Sequence, residues 1–190
     1  MSTHNRSAMR SAAPALALAF VFVAGAVLAQ TPPAPAPKLG KPISEADIKN
    51  WDIAVLPDGT NLPSGSGTPA QGAKIYAEKC VICHAEGGKG GASPGATPLV
   101  GGEPLSAGID VGKTIGNYYA YATTIFDYIR RAMPYNAPRS LKDDEVYALT
   151  AYILSLNKLI GENDTIDART LPQVKMPNRD NFILPYPDRI

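Results

Sequence analysis

The sequence is poor in the residues that usually build a catalytic centre. Its 190 residues include two histidines, two cysteines, one tryptophan and four methionines. No Ser-His-Asp set, no nucleophile beside a base and no pair of catalytic carboxylates is recognisable. The formal net charge is only +1, whereas nucleic-acid-binding proteins usually carry a basic patch. We therefore expect neither catalysis by this chain alone nor a nucleic-acid partner.

The first 29 residues have the pattern of a secretory signal peptide. Arg6 and Arg10 precede an apolar run from Ala12 to Ala29, which closes on Val27-Leu28-Ala29. A basic start, a short apolar stretch and small terminal residues are typical of a cleaved export signal. An uncleaved anchor is the alternative, but the run is short for a membrane span of ~20 residues. We expect export to the periplasm, removal of residues 1–29 and no stable membrane insertion afterwards.

Export would make the scarce residue types scarcer still. The segment 1–29 contains His4, Met1 and Met9, so the mature chain keeps His84, Met133 and Met176. It also removes two of the 18 basic residues and none of the 17 acidic residues, which changes the formal charge to −1. Two cysteines in an exported protein ordinarily predict a disulfide, but here only two residues separate them.

Cys80-Val81-Ile82-Cys83-His84 is a C-x-x-C-H sequence, the pattern to which haem c is attached. Two thiols at this spacing can add to the two vinyl groups of haem, and the next histidine is placed to ligate the iron. A thioredoxin-like pair would need a βαβ setting, and a zinc site would need about four ligands. We predict one covalent haem c held by Cys80 and Cys83, with His84 as the proximal iron ligand.

The scarcity of histidine and methionine also limits the candidates for the distal iron ligand. The mature chain has no second histidine, which leaves Met133, Met176, a weaker donor such as lysine, or an open position. Met133 lies 49 residues after His84, at the end of a predicted helix, whereas Met176 lies in a polar tail. Met133 could also be an ordinary core methionine, because methionine fills irregular apolar gaps. We predict Met133 as the distal ligand.

Composition divides the rest of the chain into three segments. Residues 30–67 are predicted to be a Pro-rich linker and extended arm, since positions 31–42 contain five prolines. Residues 68–160 are predicted to be a helical haem domain, and residues 161–190, with four prolines, an irregular C-terminal arm. We therefore expect an all-α core with extended arms on both sides.

Three helices can be placed within the core segment. Thr68 is a predicted N-cap with Pro69 as the first helical residue, and the helix runs into the cysteine motif. Thr124-x-x-Asp127 has the spacing of a capping box at the start of a second helix. Leu141 to Leu156, after Ser140 as a predicted N-cap, repeats apolar residues at helical spacing. The glycine- and proline-rich stretch 88–116 is predicted to be loop.

In this order of motifs the chain resembles class I cytochromes c. The resemblance is carried by Gly72-x-x-x-Tyr76 before the haem motif, Met133-Pro134, and Ala151-Tyr152-Ile153-Leu154 in the last helix. It implies that the first and last helices cross beside the haem. It also implies that Gly72 permits their close approach while Tyr76 and Tyr152 pack around it.

A narrower resemblance covers most of the chain from about Trp51 onward. The resemblance is carried by four stretches: Thr114-Ile115-Gly116, residues 121–134, residues 144–152 and Met176-Pro177-Asn178-Arg179-Asp180. They are similar to the cytochrome subunits of bacterial Sox-type sulfite or sulfane dehydrogenases. This resemblance implies that the chain accepts electrons from a molybdopterin catalytic subunit and passes them to a downstream cytochrome c. The single haem motif implies a single-haem form.

Three other functions stay open on the residues alone. The chain could accept electrons from a different periplasmic dehydrogenase, such as a quinoprotein alcohol dehydrogenase. It could also be a ligand-binding haem protein with an open iron position, or a subunit with a purely structural role. Asp143, Asp144 and Glu145 are interpreted as a solvated helix N-terminus rather than a catalytic cluster. Arg130 and Arg131 are interpreted as helix-surface charges, with haem propionates or a partner as the alternative.

The length of the arms suggests a role in assembly. Long connections without regular structure are usually functional or disordered. We therefore expect the Pro-rich arm, the Trp51 segment and the tail from Lys175 to Phe182 to wrap the catalytic subunit.

Overall fold

The computed structural model describes residues 39–91 and 93–182 of the chain. The predicted signal peptide, residues 1–29, lies outside the described residues, as does the first part of the predicted linker. The chain divides into two units after Pro42, and all elements below belong to the second unit. They are α1 (Glu45–Lys49), β1 (Ser66–Gly67), α2 (Pro69–Lys79), α3 (Val81–His84), α4 (Ile115–Tyr118), α5 (Ala122–Ala132), α6 (Asp143–Leu156) and β2 (Ile166–Asp167). Short 3-10 turns lie at Glu86–Gly88, Leu105–Ala107, Leu171–Gln173 and Arg179–Asn181.

The helices are short, and the longest of those described, α6, has 14 residues. None of them has the length and apolarity that crossing a membrane requires. The strands β1 and β2 have two residues each and pair antiparallel, Ser66 with Asp167 and Gly67 with Ile166. The described fold is therefore helical, which confirms the predicted all-α class.

Helix α2 begins where its sequence predicts. The Thr68 hydroxyl accepts a hydrogen bond from the Gln71 N–H at 3.3 Å, and the Gln71 side chain accepts one from the Thr68 N–H at 2.9 Å. This reciprocal capping box satisfies two amide groups that would otherwise have no partner. Pro69 follows as the first helical residue, where its missing N–H is harmless. The helix then runs to Lys79 and delivers Cys80 at its end.

Helices α2 and α6 cross at a short distance, which requires glycine, a residue without a side chain, at the points of contact. A Cβ placed on Gly72 would lie 1.9 Å from the carbonyl oxygen of Ala148 and 2.7 Å from Cβ of Tyr152. A Cβ on Gly67 would lie 2.2 Å from the Ala148 nitrogen. The prediction that Gly72 permits a close approach of the first and last helices is therefore confirmed.

Helix α5 begins three residues earlier than its sequence suggested. The predicted capping box at Thr124 and Asp127 does not form, because the helix starts at Ala122 after Tyr121 as N-cap. Asp127 lies in the second turn instead, where its carboxylate accepts a hydrogen bond from the Val55 N–H at 3.0 Å. The residue thus holds the N-terminal arm rather than its own helix end.

Helix α6 starts at Asp143, with Lys142 rather than Ser140 at the cap position. The Glu145 carboxylate accepts a hydrogen bond from the Lys142 N–H at 2.8 Å. Helices α5 and α6 then pack through Phe126 and Tyr147, whose ring centroids are 4.5 Å apart. Both side chains are fully buried and form the centre of the core.

The last part of the N-terminal arm, from Val55 to Gly67, lies on the helical core. Beyond the Val55 contact, Tyr147 donates to the Pro63 carbonyl at 2.8 Å and Asp144 accepts from the Ser66 N–H at 2.9 Å. By contrast, α1 has no buried residue although Ser44 caps it. The predicted arm of residues 30–67 therefore contains a packed part, from Val55 to Gly67, and an exposed part around α1.

The C-terminal segment is less irregular and more buried than its composition predicts. Ile166, Leu171 and Met176 are at most 3% exposed and belong to the hydrophobic core. The Asn178 side-chain amide donates to the Tyr118 carbonyl at 2.7 Å, which fixes the tail to α4. Met176 and Asn178 in this tail face the chain's own core, whereas the other residues from Lys175 to Phe182 are exposed. That the tail contacts a partner therefore stays a prediction.

Candidate haem site

One helical turn places the three residues of the motif on a common face. Cys80 ends α2, and its carbonyl accepts hydrogen bonds from the N–H groups of Cys83 at 3.1 Å and His84 at 3.0 Å. Residues three and four positions apart are neighbours on a helix surface. Cys80, Cys83 and His84 therefore lie on one side of the helical turn that runs from Cys80 to His84. Ile82 lies on another side and is 74% exposed.

The end of this turn is anchored by a buried tyrosine. The Tyr76 hydroxyl donates to the carbonyl of Ala85, the residue after His84, at 2.9 Å. The Tyr76 ring lies 5.3 Å from that of Tyr152 on α6, centroid to centroid, in a tilted arrangement. Burial, reinforced by the nearby Cys80, raises the pKa of Tyr76 to about 12, so this hydroxyl stays a donor at neutral pH. Tyr76 and Tyr152 thus pack beside the motif, as the family resemblance implied.

His84 has a nitrogen that the protein itself does not satisfy. Its side chain is half-buried, and Nδ1 is buried without a hydrogen-bond partner within residues 39–91 and 93–182. Buried polar atoms are normally paired, so an unpaired one calls for an explanation. Nδ1 of a haem-ligating histidine is the nitrogen that does not bind iron, so the fit to haem c rests instead on the turn that holds Cys80, Cys83 and His84 together.

The two alternatives for the cysteine pair find no support in the geometry. Cys80 and Cys83 are not joined in a disulfide. Burial raises the pKa of the Cys80 thiol to about 11, whereas reactive redox cysteines have lowered pKa values. In the part of the chain that the structure describes, no three His, Cys, Asp or Glu side chains converge to hold a metal ion.

The two candidate distal methionines occupy different environments. Met133 follows the last residue of α5 in extended backbone, and its N–H donates to the Ile129 carbonyl at 3.1 Å. Its side chain is half-buried at the edge of the core. Met176 is only 3% exposed and is a member of the core itself. Met133 is therefore the methionine with a free side, whereas Met176 already packs against protein.

The charged residues near these positions have structural partners. Arg130 pairs with Asp143 at 3.0 Å, and Arg131 pairs with Asp127 within α5. Both arginines thus act as helix-surface charges in the described part of the chain. The i to i+4 spacing of Asp127 and Arg131 was readable in the sequence as a helix-stabilising pair.

The three acids at the start of α6 are likewise engaged in the fold. Asp143 pairs with Arg130, Asp144 holds the Ser66 N–H, and Glu145 caps the helix while pairing with Lys79 at 2.7 Å. The Lys142 N–H, and then the Lys79 side chain, lower the pKa of Glu145. All three carboxyl groups therefore have structural partners at the start of α6.

The sequence and the structure of this chain are similar to those of known proteins. Residues 67–153 match the protein family described as cytochrome c oxidase, cbb3-type, subunit III. A chain in the crystal structure of the sulfane dehydrogenase SoxCD from Paracoccus pantotrophus is 35% identical, with a TM-score of 0.70. That match covers 80% of this chain and 73% of the other.

A curated relative is more distant. The thiosulfate dehydrogenase of Stutzerimonas stutzeri (strain A1501) is 29% identical over 96 residues, which is 49% of this chain and 29% of the relative. The chain thus spans less than a third of that relative's length. The similarity to the SoxCD chain, by contrast, covers most of both chains. The protein therefore belongs to the cytochrome c family, as a Sox-type cytochrome with the class I fold, a covalently bound haem c and a role in electron transfer.

Proposed function

We propose that this chain is the single-haem electron-transfer subunit of a periplasmic molybdopterin dehydrogenase that oxidises sulfite or a sulfane sulfur. In this role it accepts electrons from the catalytic subunit and delivers them to a downstream cytochrome c. The observation that carries the proposal is the extent of the structural match. The match to the protein family begins at residue 67 and ends at residue 153. The match to the SoxCD chain, by contrast, covers 80% of this protein. The likeness therefore extends from the haem domain into its arms.

The residues proposed to hold the haem are those of the motif turn and the end of α5. Cys80 and Cys83 would form the two thioethers, His84 the proximal ligand and Met133 the distal ligand. Once bound there, haem c supplies a one-electron carrier whose potential is raised by His–Met ligation. The chain's own part is to fix the motif turn through Tyr76 and to hold Met133 at the end of α5.

The exposed part of the N-terminal arm is the proposed contact with the catalytic subunit. Ile43 is 68% exposed, Ile48 43%, Trp51 83% and Leu56 47%. A five-residue helix without buried residues is too short to be stable on packing of its own. Grouped exposed apolar side chains mark interaction sites, and tryptophan is enriched among residues that dominate binding. We name residues 43–56 the arm patch.

The assembly is tested in the organism that makes the protein. A tagged chain purified from the periplasmic fraction should bring down a subunit that contains molybdenum, and sulfite or thiosulfate should then reduce the cytochrome. Reduction by an alcohol with a quinone-containing partner would overturn the assignment of the molybdenum subunit. A shift of the reduced spectrum on adding carbon monoxide would instead point to an open iron position.

The arm patch is tested with the same purified components. Trp51→Ala should weaken binding of the catalytic subunit by about tenfold or more, as expected for a central aromatic residue. Ile109→Ala is the matched control, because Ile109 is 99% exposed but lies outside the arm patch. Equal affinities for the two variants would show that the arm patch is not the interface.

A further inference from the structure

The segment that begins at Met133 is held mainly at its two ends. We call residues 133–142, between α5 and α6, the Met133 loop. All residues from Tyr135 to Ser140 are exposed, and two turn hydrogen bonds at 2.9 and 3.3 Å lie within the loop. Met133 at one end and Leu141 near the other are half-buried against the core. The position of Met133 therefore depends on how firmly the loop ends stay together.

One ion pair joins these two ends. Arg130, in the last turn of α5, donates from Nε to Oδ1 of Asp143, the first residue of α6, at 3.0 Å. The side chains are 23% and 38% exposed, so water screens the pair only in part. Of the three ion pairs among the described residues, this is the one that bridges α5 and α6. Arg131, one residue further on, pairs with Asp127 inside α5.

We propose that Arg130 and Asp143 are positioning residues that latch the Met133 loop and so keep the Met133 thioether in place for the haem iron. The inference rests on the proposed ligand set, in which Met133 takes the distal position. The contact is a charge-assisted hydrogen bond with a defined donor atom, which is stronger than a neutral one. Its loss should raise the population of the open loop by a factor of about two to five, the range of partly exposed ion pairs.

Competition with imidazole measures this population. Imidazole binds the iron only when the methionine has left, so its apparent affinity rises in proportion to the open fraction. In the haem-loaded protein, Arg130→Gln and Asp143→Asn should each bind imidazole about two- to fivefold more tightly than wild type. The weak sulfur-to-iron absorption band should disappear at correspondingly lower imidazole concentration.

The neighbouring arginine provides the matched control. Arg131→Gln removes the same charge one residue away but leaves the loop ends joined, so its imidazole affinity should equal that of wild type. The exchange Arg130→Asp with Asp143→Arg restores opposite charges and should return the affinity toward the wild-type value. If Arg130→Gln and Arg131→Gln tighten imidazole binding equally, the effect is one of charge or general stability and the latch is wrong.

The ligand assignment is checked separately within the same series. Met133→Ala should lose the sulfur-to-iron band, and adding Arg130→Gln to it should change imidazole affinity no further. If Met133→Ala keeps the band and Met176→Ala loses it, the proposed ligand set fails, and the latch with it. None of these measurements uses a partner protein, so the proposed dehydrogenase function stands or falls independently.

Discussion

Replacing Gly72 by alanine tests whether the crossing of α2 and α6 controls the haem domain. Two effects of this substitution oppose each other. In a helix interior alanine is about 1 kcal/mol more favourable than glycine. The new methyl group would, however, lie 1.9 Å from the Ala148 carbonyl oxygen and 2.6 Å from its carbonyl carbon. Both atoms are backbone of α6, so no side-chain rotation can make room.

The size of the clash decides which effect wins. Real Cβ contacts essentially never fall below 3.0 Å, so α2 and α6 must separate by about 1 Å or more. Overpacking of this kind typically costs about 1–3 kcal/mol, occasionally more. The fully rigid neighbour places Gly72 at the upper end, which leaves a net loss of about 2 kcal/mol after the gain in helix propensity. Since α2 leads into Cys80, the separation also displaces the motif turn.

Urea unfolding of the haem-loaded protein, followed by circular dichroism, measures the difference. Gly112→Ala is the control, because no atom lies within 4 Å of its added Cβ. At such a site we expect a change below about 1 kcal/mol, in the stabilising direction. Should Gly72→Ala be as stable as wild type or more so, helix propensity has won and the close crossing is not a constraint.

Two further predictions concern Tyr76 and Glu145. Tyr76→Phe removes the hydrogen bond to the Ala85 carbonyl and should lower the free energy of unfolding by about 1 kcal/mol; an unchanged urea midpoint would show that water replaces it. The Lys142 N–H and then Lys79 lower the pKa of Glu145, so the stability it contributes is present above pH about 4.3 and lost as pH falls through the lowered pKa. The stability difference between wild type and Glu145→Gln should therefore shrink in acid, and a difference independent of pH would contradict this reasoning.

Local sequence signals were sufficient where the determinants are close together in the chain. Four consecutive residues define the start of α2. Thr68 and Gln71 form the capping box, and Pro69 between them is the first helical residue. The spacing of Cys80, Cys83 and His84 likewise determines their relative positions, because they lie on one helical turn. These features were predictable because nothing distant competes for the same groups.

The sequence was misleading where a residue makes its main contact with a segment distant in the chain. Asp127 has the spacing of a capping residue, but its carboxylate binds the Val55 N–H, 72 positions away. Met176 stands among prolines and charges, yet it is 3% exposed because the tail folds onto the core. Neither contact has a periodic pattern, so composition alone predicted loose arms in both places.

The packed arms explain how so small a helical core can hold together. A domain of this size, with long glycine-rich loops, often needs a cofactor or another staple to complete its core. Here the strands β1 and β2 pair the two arms with each other, and Leu171 and Met176 add buried side chains from the C-terminal arm. Val55 and the arm residues from Pro57 to Gly67 therefore serve the cytochrome's own fold. That leaves the arm patch as the part of the N-terminal arm whose exposed apolar side chains can serve assembly without unfolding the haem domain.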